Sequence, residues 1–186
     1  HGARWGLART LVKKAKFDDA IAEFRRVLEI APDSAVAHVD LANAYIRKGD
    51  FPLAIEEFRE AARLEPTDVV SRINLGTALS MEGRADEAVA WFREALRIDP
   101  DQSDAHFNLA DTLIEQGKVD EGIDEYRQVL RTRPSDAGVY VAIGRALLRA
   151  GRLDEAIVQF RQALALDPNH AEAKKALEYA LSMQNR

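Results

Sequence analysis

The chain has 186 residues, with 26 lysines and arginines against 31 aspartates and glutamates, a net charge of −5, and no cysteine. Without cysteine there are no disulfides, thiolate metal sites or cysteine nucleophiles, and the acidic balance argues against nucleic acid as the main partner. No stretch approaches the roughly 18 uninterrupted apolar residues that direct membrane insertion would need.

A proline returns every 34 residues, at Pro32, Pro66, Pro100, Pro134 and Pro168. A supersecondary unit repeated at that length stacks on its neighbours and buries an apolar face against them. The segments 1–34, 35–68, 69–102, 103–136 and 137–170 are therefore five units, and a column is one position in that period. Each unit opens with a predicted helix that carries a large aliphatic residue (Leu7, Leu41, Leu75, Leu109, Ile143) followed by a small one (Ala8, Ala42, Gly76, Ala110, Gly144), so that two helices can approach closely. A glycine ends that helix at Gly49, Gly83, Gly117 and Gly151, with Ala15 as the exception, and suits a left-handed C-terminal cap.

The second helix of four of the five units starts with paired acids: Asp18 and Asp19, Asp86 and Glu87, Asp120 and Glu121, Asp154 and Glu155. In a first turn, negative charge interacts favourably with the helix dipole, and a pair recurring at 34-residue intervals is not the single facing couple of an acid–base catalyst. A small column (Ala20, Ala54, Ala88, Gly122, Ala156) and an aromatic one (Phe24, Phe58, Phe92, Tyr126, Phe160) then share one helix face. Pro52 falls in a first turn, where its missing N–H does no harm. After each second helix, Asp33, Ser34, Thr67, Asp68, Ser135 and Asp136 are candidate caps for the next unit. Residues 171–186 begin a sixth unit and stop: Ala173, Leu177, Ala180 and Leu181 keep a packing face, while Glu178 stands in the small column, as expected of a C-terminal capping helix. The chain opens in register without an initiator methionine, which suggests a piece of a longer protein.

These columns in a 34-residue period resemble the tetratricopeptide repeat, over essentially the whole chain. The first family column, usually tryptophan, departs from the pattern as Arg4, His38, Arg72, His106 and Tyr140. The resemblance implies an all-α, right-handed solenoid of five helix–turn–helix units plus the capping helix, about eleven helices in a single domain over 1–186. It also implies that columns 2, 5, 9, 12 and 13 of the first helices line a concave groove. Column 5 is then Trp5, Val39, Ile73, Phe107 and Val141, and column 12 is Val12, Ile46, Ser80, Ile114 and Leu148. Column 9 is Arg9, Asn43, Thr77, Asp111 and Arg145, and column 13 is Lys13, Arg47, Met81, Glu115 and Arg149. Columns 5 and 12 should make an apolar stripe with charged edges, its anchors Trp5 and Phe107; ordinary packing between neighbouring first helices is the competing reading. The clamp for chaperone tails is not matched, because its columns read Val39, Asn43, Asn74, Asp104 and Asn108, in which only the asparagines agree. Asn74 and Asn108 make a short version of the asparagine ladder of glycosyltransferase-linked repeats.

His38 and His106 share a column, His1 and His170 lie elsewhere, and no pair has ligand spacing on one helix face, so packing or hydrogen bonding is expected of them and no metal or other cofactor. Phosphate loops and nucleophile motifs are absent. The second to fourth units are acidic and the first and fifth basic, which suits a partner with a basic central segment. The function expected is a non-catalytic scaffold that binds a peptide or helix of a protein partner in its groove. The alternatives are a self-assembling scaffold acting as a homo-oligomer and an accessory domain of a larger enzyme. The excess of arginine over lysine suggests a bacterial source, with cytoplasm and periplasm both open.

Overall fold

The computed structural model describes residues 2–184. Among them are eleven α-helices and no strand: α1 Gly2–Lys13, α2 Phe17–Ile30, α3 Ala35–Lys48, α4 Phe51–Leu64, α5 Val69–Met81, α6 Ala85–Ile98, α7 Ser103–Glu115, α8 Val119–Thr132, α9 Ala137–Arg149, α10 Leu153–Leu166 and α11 Ala171–Gln184. They gather into two compact units, the first ending at Pro100 and the second starting at Asp101. In the first, α1 to α6 form three helical hairpins; in the second, α7 to α10 form two, and α11 packs on α10 and α9. Within each unit consecutive hairpins stack side by side, the all-α solenoid arrangement that the repeat demands.

Each hairpin turn closes in the same way. The residue in the glycine column donates to the carbonyl three back and its successor to the carbonyl five back, at 2.9 to 3.1 Å, as in Gly117 N–H to Ile114 and Lys118 N–H to Leu113. That double bond pattern satisfies the last carbonyls of the helix but requires a left-handed residue. Gly49, Gly83, Gly117 and Gly151 supply it at φ of 89°, 83°, 79° and 75°, and Ala15 enters the same region at 56° without the glycine's freedom. Of the candidate caps, Ser34, Asp68 and Asp136 accept from the first-turn amides of α3, α5 and α9. Asp33, Thr67 and Ser135 each lie one residue earlier, in the preceding turn. Gln102 caps α7, accepting from the Asp104 amide, and Pro52 sits in the first turn of α4.

The small and aromatic columns meet in the core. Ala20, Ala54, Ala88 and Ala156 are fully buried, and Phe24, Phe58, Phe92, Tyr126 and Phe160 are at most 2% exposed. Where the first helix carries glycine, the ring takes the vacated space: a Cβ on Gly76 would stand 2.6 Å from Phe92 Cε1, and one on Gly144 2.5 Å from Phe160 Cε1. The aliphatic column is buried from Leu41 onward, whereas Leu7 is 49% exposed.

The departure in the tryptophan column has a physical counterpart on the second helix. Arg4 donates to Glu23 at 2.9 Å, His38 Nδ1 pairs with Glu57 at 2.6 Å, and His106 Nδ1 pairs with Glu125 at 2.6 Å. All three acids stand in one column, nineteen residues on, so a polar tie replaces the apolar wedge in those hairpins. Arg72 turns instead to the loop before it and donates to the carbonyls of Asp68 and Pro66. The Glu23 carboxyl is held below its ordinary range, chiefly by the hydrogen bond from Arg4 and against the cost of burial.

Candidate functional site

The face expected to bind is carried by the first helix of each hairpin, and the structure sorts its columns by depth. Column 5 points inward. In the first unit Ile73 is 8% exposed and belongs to the core, with Trp5 and Val39 half-buried; in the second, Val141 is 2% exposed and Phe107 half-buried. Trp5 is also committed: its indole N–H donates to Asp40 Oδ2 at 2.6 Å, tying α1 to α3. Phe107 packs edge-on against Tyr126, with ring centroids 5.2 Å apart. Column 12 is half-buried throughout, at Val12, Ile46 and Ser80 in the first unit and Ile114 and Leu148 in the second. Columns 9 and 13 are the outward ones. Arg9, Asn43, Lys13, Arg47 and Met81 are exposed in the first unit, as are Asp111, Glu115, Arg145 and Arg149 in the second. Thr77 is partly buried, its hydroxyl donating to the carbonyl of Ile73.

Two clefts on this face are built from the same columns. In the first unit Arg9, Val12 and Lys13 of α1 and Asp40 and Asn43 of α3 flank a cleft of about 220 Å³ with Phe24 of α2 at its base. In the second, Asp111, Ile114 and Glu115 of α7 face Ala142, Arg145, Ala146 and Arg149 of α9 across about 240 Å³, with Tyr126 of α8 beneath. Each volume exceeds the about 150 Å³ of an apolar cavity that admits a benzene ring. Each therefore has room for one large side chain.

The rims differ in charge. Lys13 makes no ion pair among the described residues, Arg9 lies 3.9 Å from Asp40, and the Arg47 guanidinium sits over the Phe17 ring at 5.7 Å. In the second unit Asp111 accepts from the Tyr126 hydroxyl, and Arg145 donates to Glu172 at 2.7 Å. Burial first, and the bond to Asp111 second, push the Tyr126 phenol well above the usual tyrosine range. Asp40, Phe24, Tyr126, Ala142 and Ala146 are cleft residues that the groove columns do not include. The one available signal was Tyr126, a hydroxyl in a column otherwise phenylalanine.

A chain of stacked, capped helical hairpins at a 34-residue period is a helical repeat protein of the solenoid class. The tetratricopeptide repeat profile matches residues 6–69, 39–103 and 107–171, and the chain belongs to that family. No curated protein matches it in sequence. Among solved structures it is similar to MamA, at 25% identity with 89% of this chain and 96% of that one covered and a TM-score of 0.80. It is similar also to YrrB, a repeat protein with an unusual peptide-binding site, at 21% identity, 94% and 90% coverage and a TM-score of 0.76. A third is TTC0263, a repeat protein of Thermus thermophilus, at 21% identity, 97% and 98% coverage and a TM-score of 0.71. These likenesses are of fold. Proteins of this family are in general non-catalytic scaffolds for protein–protein interaction. Among the described residues no helix is long and apolar enough to cross a membrane.

Proposed function

We propose that this protein is a non-catalytic interaction scaffold that holds a peptide or helical segment of a partner against its first-helix face. The observation that carries the reading is the recurrence of one cleft, from the same columns, in both units. A side-chain-sized recess with an apolar base and a charged rim is what an amphipathic segment needs, the apolar residue giving affinity and the rim setting register. Val12 and Ile114 supply apolar surface above the buried Phe24 and Tyr126 rings, while Lys13, Glu115 and Arg149 supply charge at the recesses and Arg47 on the same face. Trp5 and Phe107 act in this reading as supports for the recesses. YrrB, a repeat protein of similar fold, has a peptide-binding site.

The test is selection of displayed peptides on the intact chain, followed by affinity measurements on Lys13→Glu, Arg47→Glu and Arg149→Glu variants, with Arg97→Glu on a second helix as control. Groove binders lose about tenfold or more to the first set and nothing to the control. Equal affinity for all variants would place binding elsewhere. A second reading, self-assembly, draws on the outer face of α11, where Tyr179 and Met183, one turn apart, are 58% and 43% exposed. Concentration-dependent sedimentation that a Tyr179→Lys, Met183→Lys variant abolishes would favour it.

A further inference from the structure

The cleft of the second unit holds charges of both signs, sorted by wall. Asp111 and Glu115 stand one turn apart on α7, and Arg145 and Arg149 one turn apart on α9. One member of each wall is already engaged, Asp111 by the Tyr126 hydroxyl and Arg145 by Glu172. Glu115 and Arg149 line the same recess and are both exposed, yet neither forms an ion pair within 4.0 Å among the described residues. Two opposite charges on neighbouring helices that do not reach each other leave a gap with a sign at either side. The half-buried Ile114 and the small Ala142 line the same recess.

Resting on the groove reading above, we infer that this cleft takes a partner segment in which an apolar side chain is flanked by one base and one acid. The base meets Glu115 and Asp111, and the acid meets Arg149 and Arg145. The apolar side chain fills the recess over Tyr126. A wall of one sign on each side fixes which end of the segment lies over α7, so the cleft reads direction as well as composition. The matching cleft of the first unit sets two bases, Arg9 and Lys13 of α1, against a single acid, Asp40 of α3, which accepts from the Trp5 indole and lies 3.9 Å from Arg9, so no acid there is left over. Its rim selects for acid without ordering the pair.

The inference is tested by fluorescence anisotropy of short synthetic helical peptides on the intact chain. They share one leucine-centred apolar face and differ only in the flanking residues: Lys and Glu, Lys and Lys, Glu and Glu, or Gln and Gln. The Lys and Glu peptide is expected to bind about tenfold more tightly than the Gln and Gln peptide, with the gap shrinking as salt is raised. Glu115→Gln and Arg149→Gln, at exposed positions, should each remove most of that gap, and Glu115→Lys should turn the preference to the Glu and Glu peptide. If all the peptides bind alike, the ordered pair is wrong while the groove reading stands. If none binds, both fall.

Discussion

The first unit and the second build the same recess and give it different chemistry. In the first, the base is Phe24 and the rim is mainly cationic; in the second, the base is Tyr126, whose hydroxyl holds Asp111, and the rim is divided between α7 acids and α9 bases. The backbone has not changed to achieve this. Each aromatic is at most 2% exposed, and each first helix ends in the same left-handed turn. In a repeat protein, then, geometry comes from columns that stay constant, and the chemistry of each recess from single exchanges at outward positions and under the cleft.

The equivalence of the cores can be broken most strongly at the aromatic column. Phe92→Ala in the first unit and Phe160→Ala in the second should each cost about 3–5 kcal/mol in denaturant melts, because both rings are fully buried. A loss under about 1 kcal/mol in either would show that its core had collapsed around the gap. The glycines beneath those rings come next. Gly76→Ala and Gly144→Ala push a methyl into a buried ring and should destabilise by about 1–3 kcal/mol, in spite of the better helix propensity of alanine.

The turns sharpen the comparison further. Ala15 is a left-handed alanine in the first unit and Gly117 the matching glycine in the second. Ala15→Gly should stabilise and Gly117→Ala destabilise, each by about 1 kcal/mol, and equal and opposite shifts in midpoint would confirm that the two turns are interchangeable.

The smallest effect separates the cleft bases. Tyr126→Phe removes a hydroxyl whose partner Asp111 is exposed, so about 1 kcal/mol or less is lost at neutral pH. The folded protein holds the Tyr126 proton more tightly than the unfolded chain does. That contribution is whole below the ordinary tyrosine value of about 10 and declines as pH rises past it. Urea midpoints followed upward from about pH 9 should fall more steeply for the parent chain than for Tyr126→Phe. Parallel curves would mean that Tyr126 ionises without cost.

Much of the architecture was legible in the residues. The prolines, the glycine column, the first-turn acids and caps such as Ser34, Asp68 and Asp136 act through neighbours a few residues away, so their pattern predicts hairpins directly. The proposed binding face was legible only as a set of columns. Nothing local distinguishes Ile73 and Val141, which sink into the core, from Val39 and Phe107, which stay half-buried. Exposure there depends on how adjacent first helices pack. Trp5 read as an anchor, and its indole proves to be spent on Asp40, thirty-five residues away.

By itself the sequence determined that this chain is a tandem array of capped helical hairpins, because periodicity, capping and turn conformation are short-range properties of the polypeptide. Only the tertiary structure decided that neighbouring first helices leave a recess above the aromatic column. It alone also decided which rim charges are consumed by Tyr126, Glu172 and Asp40, and which, like Glu115, Arg149 and Lys13, are left over. Those outcomes hang on distances between helices that a linear pattern does not contain, and the proposed choice of partner rests on them.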